Sequence, residues 1–326
     1  MDSEASKFCD LGRQFLDRGE PEEALRCYER AIDVDPESSE AWWGRGKAAY
    51  DLGRLERADR DYLRAMRLAR RGLVVSGGEA DLKSRRWWSD PATRPFLRAL
   101  HGHGLCEFWL GHYDESVRVF RRLLKLAPTD PLDVRFLVGE SYLRMGRIER
   151  AIRELEACDD DTDALVNLGL ARFYRGDFAG SVNAFRRGLF ANLYLPALLC
   201  ERPPEKEGPG GEEGTDNTGL DRKGLDNESA ANDYLDRCGD FWMGRPVVQR
   251  WLDGILHHPL VDADLRRHVR HVKELSGTDL SAGARARVEG ENTTLRSPAR
   301  LAATDRTVAT DVLAQVFTLA PLPSAK

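Results

Sequence analysis

One frame of small and bulky residues, recurring from about residue 5 to residue 193, limits what this chain can fold into. Gly12 and Gly19 stand seven residues apart, and Ala24, Tyr28, Ala31 and Pro36 follow them. The frame returns 34 residues later as Trp42, Gly46, Gly53, Ala58, Tyr62 and Ala65. Further copies read Gly104, Gly111, Ser116, Phe120 and Pro128, then Gly139, Gly146, Ala151 and Leu155, then Gly169, Gly176, Ser181 and Phe185. A period in this range marks stacked supersecondary units, each too small to bury its own apolar face. Each position has a physical reason. The first glycine lets two crossing helices approach closely. The second ends a helix in the left-handed conformation. The small residue that follows packs the second helix against the first, and the aromatic or Leu four residues on fills the space between neighbouring hairpins. Pro36 and Pro128 stop the second helix.

These residues resemble the tetratricopeptide-repeat (TPR) family. The resemblance implies an all-α protein, an α-solenoid of about five helix–turn–helix repeats with a concave face that holds other proteins. The repeats are placed near 5–38, 39–72, 97–130, 132–161 and 162–193, at intervals of 34, 58, 35 and 30 residues. The long interval holds an insertion, 73–96. The short one reflects the fourth repeat's second helix ending early at the acidic run Asp159–Asp161. Trp88, Asp90, Thr93, Arg94 and Pro95, followed by Phe96, Arg98 and Ala99, resemble a block that precedes a repeat in suppressor-of-tumorigenicity-7-like proteins and their microbial relatives. Vertebrate members of that group are membrane proteins. This chain has no apolar run near the roughly 20 residues needed to span a bilayer, so that property is not carried over.

Beyond the repeats, residues 201–229 are rich in Gly, Pro and Glu and read as a flexible linker. Helical patterning returns over 230–275. Tyr234, Leu235, Cys238, Phe241 and Trp242 form one apolar stripe, and Val247, Val248, Trp251, Leu252 and Leu256 another. Such stripes need something to pack on, and residues 230–256 are expected to dock on the array. The tail, 276–326, reads as largely disordered, with one short helix at about 309–318.

Net charge is −5 over 326 residues, which gives no global basic field for nucleic acid. The six cysteines form no CxxC pair and suit a reducing setting. The opening MDSEASKF lacks the apolar stretch of a signal peptide. The expectation is a cytoplasmic protein that meets neither membrane nor nucleic acid.

Chemical motifs are few. Leu73 to Ser84 nearly spells a phosphate-binding loop, but Leu82 stands where its second glycine belongs. His257, His258, His268 and His271 cluster without further ligands, and RRHVRHVK at 266–273 reads as a solvated helix face. His101 and His103, at i and i+2, point apart on a helix. Asp161 is placed to cap the fifth repeat. The sequence therefore predicts no enzyme, no cofactor and no metal.

The repeat frame places Trp43, Lys47, Tyr50, Arg98, His101, Phe108, Trp109, Phe136, Glu140, Arg144, Phe173 and Tyr174 on the concave face. Aromatic positions with interspersed arginine suit an extended or helical peptide. The carboxylate clamp of chaperone-binding TPRs falls here on Cys9, Arg13, Gly44, Arg98 and Gly102 and lacks its asparagines. The leading expectation is a non-catalytic scaffold for a protein or peptide partner. The alternative is a structural or assembly subunit whose groove is filled by its own C-terminal helices.

Overall fold

A computed structural model describes residues 3–84, 87–158, 161–192, 194–200, 228–276 and 280–318. The expected linker, 201–229, falls almost wholly outside these residues. Helices are the only regular structure among the described residues. The chain divides into two compact units, Met1–Arg147 and Ile148–Lys326.

The first unit holds α1 (Glu4–Asp17), α2 (Pro21–Val34), α3 (Ser39–Asp51), α4 (Leu55–Ser84), α5 (Arg94–Trp109), α6 (Tyr113–Leu126) and α7 (Arg135–Arg144). Side chains set the helix starts. Ser3 and Ser38 accept from the backbone amides of Ser6 and Ala41 at α1 and α3. Gly53, with φ of 70°, closes α3, and the amide of Arg54 then reaches back to the Ala49 carbonyl at 2.8 Å. Consecutive helices pack in chain order, and α1, α3 and α5 also lie side by side.

Packing across these hairpins runs through tyrosine. Tyr28 on α2 is 1% exposed, and its ring sits between Gly12 of its own hairpin and Gly44 of the next. A methyl group built on either glycine would meet the ring, at 2.8 Å from Gly12 and 2.2 Å from Gly44. Tyr62 on α4 stands likewise between Gly46 and Gly102, at 3.0 and 2.5 Å. The aromatic residue therefore joins one hairpin to the next, and two glycines make its slot.

The insertion departs from the sequence expectation. Rather than ending near residue 72, α4 continues as one helix to Ser84. Gly77 and Gly78 each weaken a helix by about 1 kcal/mol relative to Ala, but no proline stands before Pro91 to stop it. The block 88–96 then builds the entry to α5. Asp90 accepts from the Ala92 amide at 2.9 Å, and the Thr93 hydroxyl donates to the carbonyls of Trp87 and Asp90. Trp87 covers Phe96, with ring centroids 5.3 Å apart.

The second unit holds α8 (Ile148–Leu155), α9 (Thr162–Arg175), α10 (Phe178–Ala191), α11 (Tyr194–Leu199), α12 (Glu228–Cys238), α13 (Pro246–Leu256), α14 (Pro259–Ser276), α15 (Ala282–Arg296) and α16 (Pro298–Thr318). Asp161 caps α9 by accepting from the Ala164 amide at 2.6 Å. Where the tail was expected to be largely disordered, α15 and α16 bury Val288, Leu295, Leu301, Val308, Val312 and Val316. The stripe on α16 was hard to read because Asp305 fills one of its positions. Asp305 is 2% exposed and pairs at 2.6 Å with Arg186 of α10, which also holds Asp264 of α14 at 2.6 Å. Arg300 adds a second cation to Asp264 at 2.7 Å. Breaking one partner of such a buried set costs about 3–5 kcal/mol.

Two expectations follow. Gly44→Ala should destabilise the chain by about 1–3 kcal/mol in chemical denaturation through overpacking against Tyr28. The same change at Gly72, where no atom lies within 4 Å, should stabilise it by about 0.5–1 kcal/mol. In the second unit, burial lowers the pKa of His268, and the hydrogen bond its ring donates to the Asn292 amide oxygen only partly offsets it. The folded state therefore favours the neutral ring. This contribution is complete above the unfolded value of about 6.5 and is lost as pH falls through the lower folded value. Burial raises the pKa of Asp305, which acts in the opposite sense at more acid pH. In denaturation curves at pH 7.5 and 5.5, the wild type should lose more stability toward the acid end, or gain less, than the His268→Gln variant.

Candidate partner-binding surface

In the first unit the predicted face lies on the first helices of successive hairpins. Residues 43, 47 and 50 recur at helical spacing on α3, as do 98, 101 and 109 on α5. Two contacts join the helices. The Arg98 guanidinium lies over the Trp43 ring at 5.5 Å. Tyr50 shares a side-chain hydrogen bond with Trp109, and burial raises its pKa. Lys47 pairs with Asp51 and lies 6.0 Å from the Tyr50 ring. Trp109 is 44% exposed and Arg98 is exposed, while Trp43, Tyr50 and His101 are half-buried. The His101 ring approaches Phe120 at 6.4 Å, and its burial lowers its pKa.

Phe108, Glu140 and Arg144 do not belong to an accessible face, and this corrects the sequence expectation. Phe108 is 2% exposed and packs edge-on against Trp109 and Tyr113, at 5.6 and 5.8 Å. Its azimuth on α5 turns it inward, whereas the next residue, Trp109, turns outward. Glu140 is fully buried and holds Arg144 at 3.0 Å. Arg144 in turn covers Phe108 at 5.6 Å and Tyr113 at 5.7 Å. This buried pair straps the core. Phe136 is half-buried beside it.

In the second unit Phe173 and Tyr174 lie against later helices. Trp251 of α13 approaches Phe173 at 5.6 Å and Phe178 at 5.4 Å, and its indole nitrogen donates to the Ser181 hydroxyl at 3.1 Å. The Tyr174 hydroxyl accepts from Arg245 at 2.5 Å. Nearby, the Tyr234 hydroxyl donates to Asn167 at 2.8 Å and accepts from Trp242 at 3.1 Å.

A polar group absent from the sequence expectation lies between α4 and α5. Asp59, His103 and Glu107 bring their polar atoms within 4.8 Å of one another. Burial alone would lower the pKa of His103, but the hydrogen bond and charge of Asp59 outweigh it, so the pKa is raised. The signal available in the sequence was His103 and Glu107 at i and i+4. Only the structure supplies Asp59, which is 44 residues away from His103.

Helical hairpins in chain order, closed by glycine and joined by aromatic residues, define a class of helical-repeat protein. The tetratricopeptide-repeat family model matches residues 9–71 and 107–163, so the helical hairpins of those two stretches read as tetratricopeptide repeats. Human DnaJ homolog subfamily C member 3 is 24% identical over 219 residues, covering 58% of this chain and 43% of that protein. The Arabidopsis thaliana protein CTR9 homolog is 26% identical over 179 residues, covering 52% of this chain and 14% of that protein. The chain thus spans less than half the length of these curated relatives. A solved structure of MamA from Desulfovibrio magneticus RS-1 aligns with 58% of this chain and 95% of its own, at 18% identity and a TM-score of 0.47. Repeats of this family support a protein-interaction scaffold in general. Among the described residues no helix is long and apolar enough to cross a membrane.

Removing the indole that seats Phe173 tests the packing of the second unit. Trp251→Ala should destabilise the chain by about 3–5 kcal/mol in chemical denaturation, against well under 1 kcal/mol for the exposed Val247→Ala.

Proposed function

We propose that the chain is a non-catalytic scaffold whose partner-binding face is the α3–α5 surface of the first unit. The observation that carries this is the exposure of Trp109 beside Tyr50, with Trp43 and the exposed Arg98 on the same pair of helices. Large aromatic groups with a neighbouring guanidinium are the residue types that dominate binding energy at protein interfaces. The partner is a peptide segment whose apolar side chains pack on Trp43 and Trp109 and whose acidic group meets Arg98. Lys47 and His101 line the same helices and adjust orientation.

In the second unit we read Phe173 as covered from within by Trp251, while Tyr174 stays 40% exposed and is held by Arg245. What favours this second reading is that both aromatic residues already have partners from α13 or its N-cap. On this view residues 230–256 dock on the last repeat and complete its core.

The test is affinity capture from lysate with the full chain, followed by mapping of the captured segment on an array of synthetic peptides. The double variant Trp43→Ala/Trp109→Ala should lose at least tenfold in affinity for the mapped peptide while melting cooperatively. Arg98→Gln should weaken acidic peptides more than neutral ones. Undiminished binding by the double variant would place the face elsewhere.

A further inference from the structure

We propose that Asp59, His103 and Glu107 form a site for a divalent transition-metal ion that clips α4 to α5. One ligand atom from each side chain lies within 4.8 Å of the other two. The Asp59 and His103 side chains approach at 2.5 Å, and the three side chains are only 11–15% exposed. His103 and Glu107 sit one turn apart on α5 and project from the same face, with Asp59 opposite them on α4.

The donor set indicates the ion. One imidazole nitrogen and two carboxylate oxygens suit Zn2+, Co2+, Fe2+ or Mn2+ better than a thiolate-seeking ion. Donors about 2.0–2.2 Å from a shared ion stand roughly 3.4 Å apart in a tetrahedral site. The widest separation therefore has to close by up to about 1.4 Å and the Asp59–His103 contact to open by about 0.9 Å, changes that side-chain rotation supplies. Outside the group, His112 lies 3.0 Å from the Glu107 carboxylate and orients it. This is the role a supporting side chain plays around a ligating one.

Charge favours the ion over a simple ion pair. An Asp59–His103 pair is complete without Glu107, yet Glu107 is drawn into the same partly buried space. Two carboxylates in one partly buried space repel each other, and a divalent ion bound by both removes that repulsion. The place in the fold gives the ion a use. The connection from α4 to α5 carries the residues that interrupt the repeat spacing, so this hairpin boundary has the longest covalent path of the array. An ion held by Asp59 and His103 closes that path on the folded state only, where it adds stability by mass action.

The experiment titrates Co2+ and Zn2+ into the EDTA-stripped full chain, read by calorimetry, visible absorption and thermal melting. One ion should bind per chain without a thiolate charge-transfer band. At an ion concentration about 100 times Kd the melting midpoint should rise by roughly 5 °C. Asp59→Asn keeps a hydrogen-bond acceptor for His103, so its metal-free midpoint should stay near that of the wild type. It and Glu107→Gln should each weaken the ion at least tenfold. Absence of saturable binding, a thiolate band, or binding unchanged in both variants would overturn the proposal. Mn2+ added to the unaltered chain gives a readout free of any folding defect. Paramagnetic broadening should centre on the amides of residues 59, 103 and 107, and broadening centred elsewhere would equally refute the site.

Discussion

An aromatic ring gripped between two glycines is the contact on which the first unit depends. A hairpin of two amphipathic helices cannot bury its apolar surface alone. Here each tyrosine lies over a glycine of its own hairpin and under a glycine of the next, so one side chain serves both interfaces. The glycines cost helix stability, about 1 kcal/mol each relative to Ala. The close approach they permit returns that cost through burial of Tyr28 and Tyr62, at about 25 cal/mol for each Å2 removed from water. The same geometry brings α1, α3 and α5 side by side, and so places Trp43, Arg98, Tyr50 and Trp109 on neighbouring helices.

The second unit solves the same problem with different chemistry. There Phe185 takes the tyrosine position over Gly169, and Trp242 meets its ring at 5.9 Å. Around it, α10, α14 and α16 are joined by Arg186 and two buried aspartates, with Asn183 donating to Asp305 at 2.6 Å. A buried ionic set is a weak source of net stability but sets register, because each charge accepts only one geometry of partners.

Much of this was legible in the sequence. The glycine, alanine and aromatic frame named the hairpins, the left-handed turns and the cap at Asp161, because each reflects a local rule. The second glycine of each slot, Gly44 or Gly102, was not recognised, since it lies in the next repeat and only packing reveals its contact. Length of α4 was misread because an insertion between repeats looks like a loop when a Gly-Gly pair stands in it. The tail was misread because α16 is rich in alanine and threonine and its apolar stripe passes through Asp305. On α5 the sequence assigned Trp109 and the adjacent Phe108 to one face, but Trp109 is exposed and Phe108 is buried. A one-residue change in helix azimuth, about 100°, separates the two, and repeat alignment alone does not resolve it. The group of Asp59 with His103 and Glu107 needed a contact across 44 residues that no local pattern encodes.

The most direct measurement of the account is a double-mutant cycle on Tyr62 and Gly102, by chemical denaturation of the full chain. With Tyr62 present, alanine at Gly102 must displace the ring and should destabilise. With Tyr62→Leu in place, the slot is wider, and Gly102→Ala should become neutral or stabilising, by up to about 1 kcal/mol, as helix propensity dictates. A change of sign is the result expected of a ring held between glycines. An equal penalty in both backgrounds would mean that the ring does not join the hairpins there.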